Sequence, residues 1–514
     1  MSDAVLFRGG RIFTGRRRTE ALLIDDGHVI AAGPLAELER QTPVGAERID
    51  LEGGSVVPGL ADAHLHVGEI ARERAGVDLG GVRSLGALQE AIARYGAAHE
   101  RGAIVGRGLD LERLAERRWP TLAELDAPAR GRPVVLFHAS GHAAAVNGAA
   151  LERALDPRAL SSRRSPEPSV LLEEEQAAVR PLVDEALPLT AEALATTLTE
   201  LARLGLTCVG TMNTHPPELT LLEELAAADR LPVRVRAYPP LLPATGENAT
   251  RRPAQVGRLA VVGAKGFLDG AFGPRTASLS EPYEDARSER GLDRGADAEV
   301  RAAIVDAGNR GLASALHAIG DRAVARAVEL LAGAPGTPAP PRIEHASLTP
   351  PSTLARLGTQ RPHLVVQPGF VLSDHWLGAR LGPERRRWAY AFRTLADLGV
   401  PLAGSSDAPY DPADPWRGLA AAVSRRDDLG RSANPSPDEA LSLREAWALY
   451  TTGAYAALGL PDGGRLEPGA PADLLVLGVP RWEEAVRLGA SSVRQTWVAG
   501  RPMLEPPVPT EGRR

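Results

Sequence analysis

Between residues 59 and 409 the chain repeats one pattern eight times: a short apolar run, bounded by Gly or Pro, set apart from the next by other structure. The runs are GLADAHLHV (59–67), GLTCVGTMN (205–213), PVRVRAYPP (232–240), VVGAKGFLDG (261–270), GLASALHAIG (311–320), RIEHASL (342–348), HLVVQPGF (363–370) and VPLAGSSDAP (400–409). Segments between them, such as ADAEVRAAIVDAGNR and AVARAVELLAG, place apolar side chains at i, i+3 and i+4, one face of a helix. Strands alternating with helices run parallel, because a parallel connection needs a crossover long enough to hold a helix. Eight such units predict an α/β fold, a (β/α)8 TIM barrel built from residues 58–75 and 186–465.

Some 140 residues separate the first run from the second, far more than the few residues of a βα loop. An inserted α+β subdomain after the first strand, residues 76–185, accounts for them. It offers the strand-like pieces GAIVGRGL and PVVLFHASGH, the helical SLGALQEAIARYGAAHE, and a polar segment, DPRALSSRRSPEPS, that reads as mobile. The first 57 residues break into short strands at Gly pairs and an Asp-Gly turn, and GRLEPGAPADLLVLGVP and VRQTWVAGRPML do the same near the other end. Because these pieces flank everything else, the simplest arrangement is one composite β-sandwich from residues 1–57 and 466–504, with 505–514 as a tail.

Barrel enzymes keep their chemistry at the carboxyl ends of the strands. Here those ends carry His64, His66, Lys265, His317, His345 and Asp407. Two residues apart on a strand, His64 and His66 share a face about 6 to 7 Å apart. With 11 histidines in 514 residues, one such pair carries little weight alone. Four imidazoles, a carboxylate and an amine together suit one or two divalent ions, with zinc foremost for nitrogen and oxygen donors. The amine stands out: Lys265 is the only lysine, and the other 58 of 59 basic residues are arginine. An apolar, Gly-punctuated run is a poor home for a solvated charge, so position 265 reads as one that needs a primary amine.

A net charge of -6 leaves no basic footprint for nucleic acid, and no apolar run approaches the 18 residues of a membrane span. The start shows no apolar leader, and a single cysteine excludes an intrachain disulfide, so a cytoplasmic location is expected. Cys208, in LTCVGTM, reads as a buried structural thiol.

The H-L-H after PGLADA, the VGAKGF lysine, LHAIGDRA around His317, RIEHA around His345 and GSSDAP around Asp407 form an ordered set. That set resembles the amidohydrolase superfamily over nearly the whole chain. SGHAAAVNGAAL (140–151), KGFLDGAFGPRTASLSEPY (265–283) and GRLEPGAPADLLVL narrow the resemblance to the amidohydrolase-3 group, which includes N-substituted formamide deformylases. The resemblance implies a hydrolase of an amide or formamide-like C–N bond in a small-molecule substrate, with two Zn2+ per chain. His64, His66 and Asp407 would hold one ion and His317 and His345 the other, bridged by a CO2-derived carbamate on Lys265. Carbamylation needs the neutral amine that burial favours. Asp407 is implied as general base and then acid, taking a proton from the water that a metal activates and passing it to the departing amine.

His142, in SGHAAAVN, matches the group's motif and is a candidate catalytic residue reaching the site from the insertion as a substrate-binding or electrophilic group, with a structural histidine as the alternative. Arg275 and Tyr283, on the loop after the fourth run, are candidates to line the substrate pocket, and Asp269 is a candidate to orient a ligand. Asp321 is expected to cap the helix that follows it. His28, His99, His138, His215, His363 and His375 lack matching motifs and read as structural or solvated, with His215 and His375 set apart because they follow strand runs. The DGAFGPRTA segment replaces both serines of the DGSLGSRTA form expected for the group, which leaves the substrate's polar contacts open. A homodimer is the base-rate expectation for assembly.

Two other readings share part of this pattern. A mononuclear zinc deaminase of a cyclic amidine or nucleobase also uses H-x-H and a final Asp, but it carries an H-x-x-E acid where this chain has LHAIGD. A noncatalytic scaffold of the same architecture would have lost ligands, and here each one is present.

Overall fold

The computed structural model describes residues 3–99, 101–154, 165, 167–242, 252–427 and 429–503. Ten of the fourteen residues of the DPRALSSRRSPEPS segment and the whole of the 505–514 tail lie outside the described residues.

The strands Leu60–Leu65, Leu206–Met212, Arg234–Tyr238 and Leu259–Val261 pair in that order, all parallel. A second parallel set follows in chain order: Gly263–Phe267, Ala313–Ala318, Arg342–His345, His363–Val366 and Leu402–Gly404. The fourth sequence run is thus split at Val262, its first half pairing back to the third strand and its second half forward to the fifth. A parallel bridge between Pro240 and Lys265 links the two sets. On the other side, the Asp407 N–H donates to the His64 carbonyl at 2.8 Å, and the His66 N–H donates to the Ala408 carbonyl at 2.9 Å. The segment after the last strand is therefore tied to the end of the first.

Every residue of Leu60–Leu65 and Leu206–Met212 is buried, the pattern of parallel strands covered on both faces. The two faces differ in side-chain size. Ala61, Ala63, Ala313, Ala315 and Ala403 cluster with Cys208, Met212 and Tyr238 on one side. Leu194, Leu198 and Leu201 of the helix Ala191–Arg203 cluster with Val209 on the other. Cys208 and Val209, one residue apart, belong to different clusters, as strand alternation requires.

Residues after the first strand build a separate five-stranded sheet. Val77–Asp78, Ile104–Leu109 and Val134–His138 lie parallel, and Ala143–Val146 and Val170–Leu172 extend the sheet antiparallel. The turn between Val134–His138 and Ala143–Val146 carries Ser140 and His142.

Both termini meet in a six-stranded sheet, where Leu474–Leu477 pairs antiparallel with Ser55–Pro58. A four-stranded sheet of Val5–Arg8, Ala21–Asp25, His28–Gly33 and Glu47–Asp50 packs on it. Phe7 and Trp497 meet edge to face at 5.1 Å between them. Arg234 joins this unit to the parallel strands through a bidentate contact with Asp473, at 2.7 and 3.1 Å. Among the described residues, no helix is long and apolar enough to cross a membrane.

Candidate metal centre

The strand that carries His64 stops at Leu65. His66 lies beyond it, in the cap position of the helix Val67–Glu73 with φ -128° and ψ 87°. The two imidazoles therefore do not stand side by side on a strand face; they meet edge to face with centroids 5.4 Å apart. Their Nε2 atoms approach the same oxygen, Oδ1 of Asp407, at 3.1 and 3.2 Å. His345 joins from the sixth strand, its ring 5.0 Å from His64 and 4.5 Å from His317. Ligand atoms of His64, His345 and Asp407 all lie within 4.8 Å of one another. Lys265, 1% exposed, places Nζ 3.4 Å from His64 Nε2. The backbone bends sharply here, with positive φ at His345 (73°), Ala346 (44°) and Asp407 (60°). Such conformations cost about 1–3 kcal/mol each and persist where surrounding contacts hold them.

The outer nitrogen of each ring decides what the inner one presents. Met212 O lies 3.1 Å from His66 Nδ1, and a carbonyl can only accept, so that nitrogen carries the hydrogen. His66 Nε2 then turns a lone pair toward the Asp407 carboxylate. The Gln367 side chain donates through Nε2 to Val365 O and Ser405 Oγ, which leaves its Oε1 to accept from His345 Nδ1 at 2.9 Å. His317 donates from Nε2 to Gly270 O at 3.0 Å and so keeps its Nδ1 lone pair free. Acceptors thus face acceptors around Asp407, and a cation is the partner that satisfies them. The donor set suits a divalent metal of nitrogen and oxygen preference.

Burial reinforces this. It pushes His345 down to about 3, holds His66 and His317 below the ordinary imidazole range, and lowers Lys265 to about 8. Burial alone would raise Asp407, but the imidazoles of His64, His66 and His345 hold its carboxyl well below the usual range. Burial thus favours the unprotonated form of His66, His317 and His345, while the Asp407 carboxylate stays ionised.

Several supporting residues were not visible in the sequence pattern. Glu344 accepts from His64 Nδ1 at 2.5 Å and from Arg342 Nε at 2.7 Å, with Arg342 and Glu344 both 0% exposed. Asp62 accepts from the backbone of His64 (3.0 Å) and Ser406 (3.1 Å), pinning the first and last strands together beneath the site. Glu344 did leave a signal, a charged residue inside the strand RIEH.

Of the remaining candidates, His142 reaches the centre, its ring 4.9 Å from His317. Asp269 lies 3.4 Å from His317 Nε2 and accepts from the Ser278, Ile319 and Gly320 N–H groups, holding the loops around that ring. Arg275 instead pairs with Asp285 at 2.9 and 3.1 Å, and Tyr283 is buried with its hydroxyl donating to Ala277 O at 2.8 Å. Neither contributes to the cavity walls described below. Asp321 begins the helix Asp321–Leu331 rather than capping it, because its carboxylate is taken by the Ser280 backbone N–H and hydroxyl. His28 and His99 are exposed and hydrogen-bond to nearby backbone carbonyls, and His363 is half-buried.

A cavity of about 280 Å³ is lined by the imidazoles, Lys265 and Asp407, together with His142, Glu173, Arg294 and His215. A neighbouring cavity of about 370 Å³ is walled by Phe272, Phe370, Trp376, His138 and His375. Arg107, His142, Asp407 and Tyr410 line both. His138, read as structural or solvated, is thus a cavity residue, kept unprotonated by burial that lowers it to about 4.

Parallel strands feeding buried imidazoles, a carboxylate and an amine into a cavity at their carboxyl ends define a metal-dependent hydrolase class. The family model described as the amidohydrolase family matches residues 47–504, and the chain belongs to that family. It is 30% identical to the amidohydrolase YtcJ of Bacillus subtilis over 97% of this chain and 99% of that one. It is 26% identical to the N-substituted formamide deformylase of Arthrobacter pascens, over 89% and 90% of the two chains. Among solved structures, a metal-dependent hydrolase of Pyrococcus horikoshii OT3 superposes with a TM-score of 0.78 at 32% identity, covering 92% of this chain and 97% of that one.

Proposed function

We propose that the chain is a binuclear metal amidohydrolase that cleaves an amide or formamide C–N bond in a small molecule. In this reading the two parallel strand sets are halves of one closed (β/α)8 barrel, residues 58–75 and 186–465. The insertion 76–185 roofs its mouth, and residues 1–57 and 466–504 form the β-sandwich. The observation that carries the metal assignment is the Asp407 carboxylate facing the Nε2 lone pair of His66 at 3.2 Å in a buried pocket. His64, His66 and Asp407 would hold one ion, His317 and His345 the other, and a carbamate on Lys265 both. Zinc suits these donors best.

When bound, the ions supply Lewis acidity, polarising the scissile carbonyl and bringing the pKa of water from 15.7 to about 7. Asp407 takes the proton of the attacking water and returns it to the departing amine nitrogen, so water adds across the C–N bond. His142 contacts the scissile amide from the side of the insertion. The similarity to an N-substituted formamide deformylase supports starting with formamides. The test is release of formate and amine from N-alkylformamides, before and after chelation and again after metal is restored. Metal-dependent turnover is the expected result; hydrolysis unaffected by chelation would exclude the reading.

A further inference from the structure

His142 is held from two directions by one residue. Glu173 Oε2 lies 2.9 Å from His142 Nδ1, and the Glu173 backbone N–H donates to the His142 carbonyl at 3.1 Å. Glu173 is 6% exposed and adopts a positive φ of 50°, a conformation that costs a non-glycine residue and marks a position fixed by its surroundings. Gln176 braces the turn, donating to the carbonyls of Gly141 (3.2 Å) and Glu173 (3.3 Å). Arg294, from the loop after the fourth run, donates to the same Glu173 oxygen at 3.2 Å and lies over the Phe267 ring at 4.8 Å. Arg294, which also pairs with Glu174 at 2.5 Å, gives the carboxylate a counter-charge beside its contact with His142.

A carboxylate flanked by Arg294 accepts, so in the neutral ring the hydrogen of His142 sits on Nδ1 and the Nε2 lone pair is left over. Among the described residues Nε2 has no protein hydrogen-bond partner, and His142 lines both cavities where they meet. The group offered to a substrate there is a hydrogen-bond acceptor. Within an amide, the complementary donor is the N–H beside the scissile carbonyl.

We propose that Glu173 is the positioning residue of His142, fixing it as an acceptor, and that the pair selects substrates whose scissile amide carries an N–H over those whose nitrogen is fully substituted. This rests on the amidohydrolase reading above. A site built around a substrate hydrogen bond discriminates strongly against the analogue that lacks it, because a polar group is then left unpaired.

The experiment uses the zinc-loaded chain with two probes, N-methylformamide and N,N-dimethylformamide, and four variants: Glu173→Ala, Glu173→Gln, His142→Ala and the double variant that combines Glu173→Ala with His142→Ala. The wild-type kcat/KM favours the N–H-bearing probe by tenfold or more. Glu173→Ala loses most of that preference, mainly through the N–H-bearing probe. Glu173→Gln retains it, because the amide oxygen still accepts from Nδ1. The double variant Glu173→Ala with His142→Ala is no worse than His142→Ala alone, since the effect of Glu173 passes through His142. Independently of turnover, ¹⁵N spectra of the histidine rings place the His142 hydrogen on Nδ1 in the wild type and move it to Nε2 in Glu173→Ala. A Glu173→Ala variant that keeps both the preference and the Nδ1–H form would overturn the inference while leaving the hydrolase reading intact. If the metal-loaded protein hydrolyses neither probe, substrate selection fails with the hydrolase reading, and the ring spectra still decide the Glu173–His142 coupling.

Discussion

The carboxylate of Glu344 lies 2.5 Å from Nδ1 of His64 and has no exposure to solvent. It fixes that ring from behind, leaving Nε2 to face Asp407, and Arg342 in turn holds its second oxygen. Removing such an outer partner of a metal-binding histidine typically costs 10- to 100-fold in metal affinity. Glu344→Ala, which leaves His64 Nδ1 without its acceptor, should show a loss of about that size in a zinc titration against a competing chelator, and Glu344→Gln, whose amide oxygen still accepts, a smaller one. Glu344→Ala should also unfold more readily in urea, by about 3–5 kcal/mol, because it strands the buried Arg342 charge. Unchanged affinity in the Ala variant would remove Glu344 from the account of the centre.

Asp407→Asn tests the proton-transfer role. The amide still fills the space beside His64 and His66, but it cannot take a proton from water. Activity should fall by several orders of magnitude while metal stays bound, as read by turnover and elemental analysis of the same sample. Near-normal turnover would refute the assignment.

Asp374 gives a pH signature from a group that is not among the proposed ligands. Burial pushes its carboxyl up to about 7, against hydrogen bonding that includes the Tyr390 hydroxyl. A folded-state value above the unfolded one means the native chain binds the extra proton. Stability from this group is therefore complete below about 4, the ordinary carboxylate value, and is lost as the pH rises through about 7. Asp374→Asn, which mimics the protonated form, should be more stable than the wild type in urea at pH 8 and closely matched at pH 5. An equal difference at both pH values would contradict the linkage.

Cys208 is fully buried, and burial pushes its thiol up to about 12. A disulfide reagent should leave it unlabelled in the native protein and label it at the rate at which the chain opens. Immediate labelling of the folded protein would show that the strand Leu206–Met212 is not packed as described.

Much of the centre was legible because a parallel α/β fold places its chemistry at predictable points. Each expected ligand lies within one of the apolar runs, and Lys265 was conspicuous as the chain's only lysine. His66 differed in detail: the strand ends one residue before it, so the H-x-H pair converges by a change of backbone rather than by strand alternation. Glu173 was not legible, because it opens an EEE run that reads as a solvated surface and only the folded insertion brings it against His142. Arg275 and Tyr283 follow the fourth strand in sequence, yet the loop between turns them toward Asp285 and Ala277. Asp321 had the position of a cap, and a distant serine claimed its carboxylate. Proximity in sequence located residues fixed to strand ends; it could not locate those whose partners come from separate loops.

The central claim is a two-ion centre bridged through Lys265, and metal content per chain tests it most directly. Elemental analysis of protein purified without chelator should give about two divalent equivalents, zinc foremost, falling in Lys265→Arg, whose guanidinium cannot form the bridge. One equivalent in an active wild-type sample, with no change in Lys265→Arg, would contradict the bridged centre and return weight to a mononuclear deaminase.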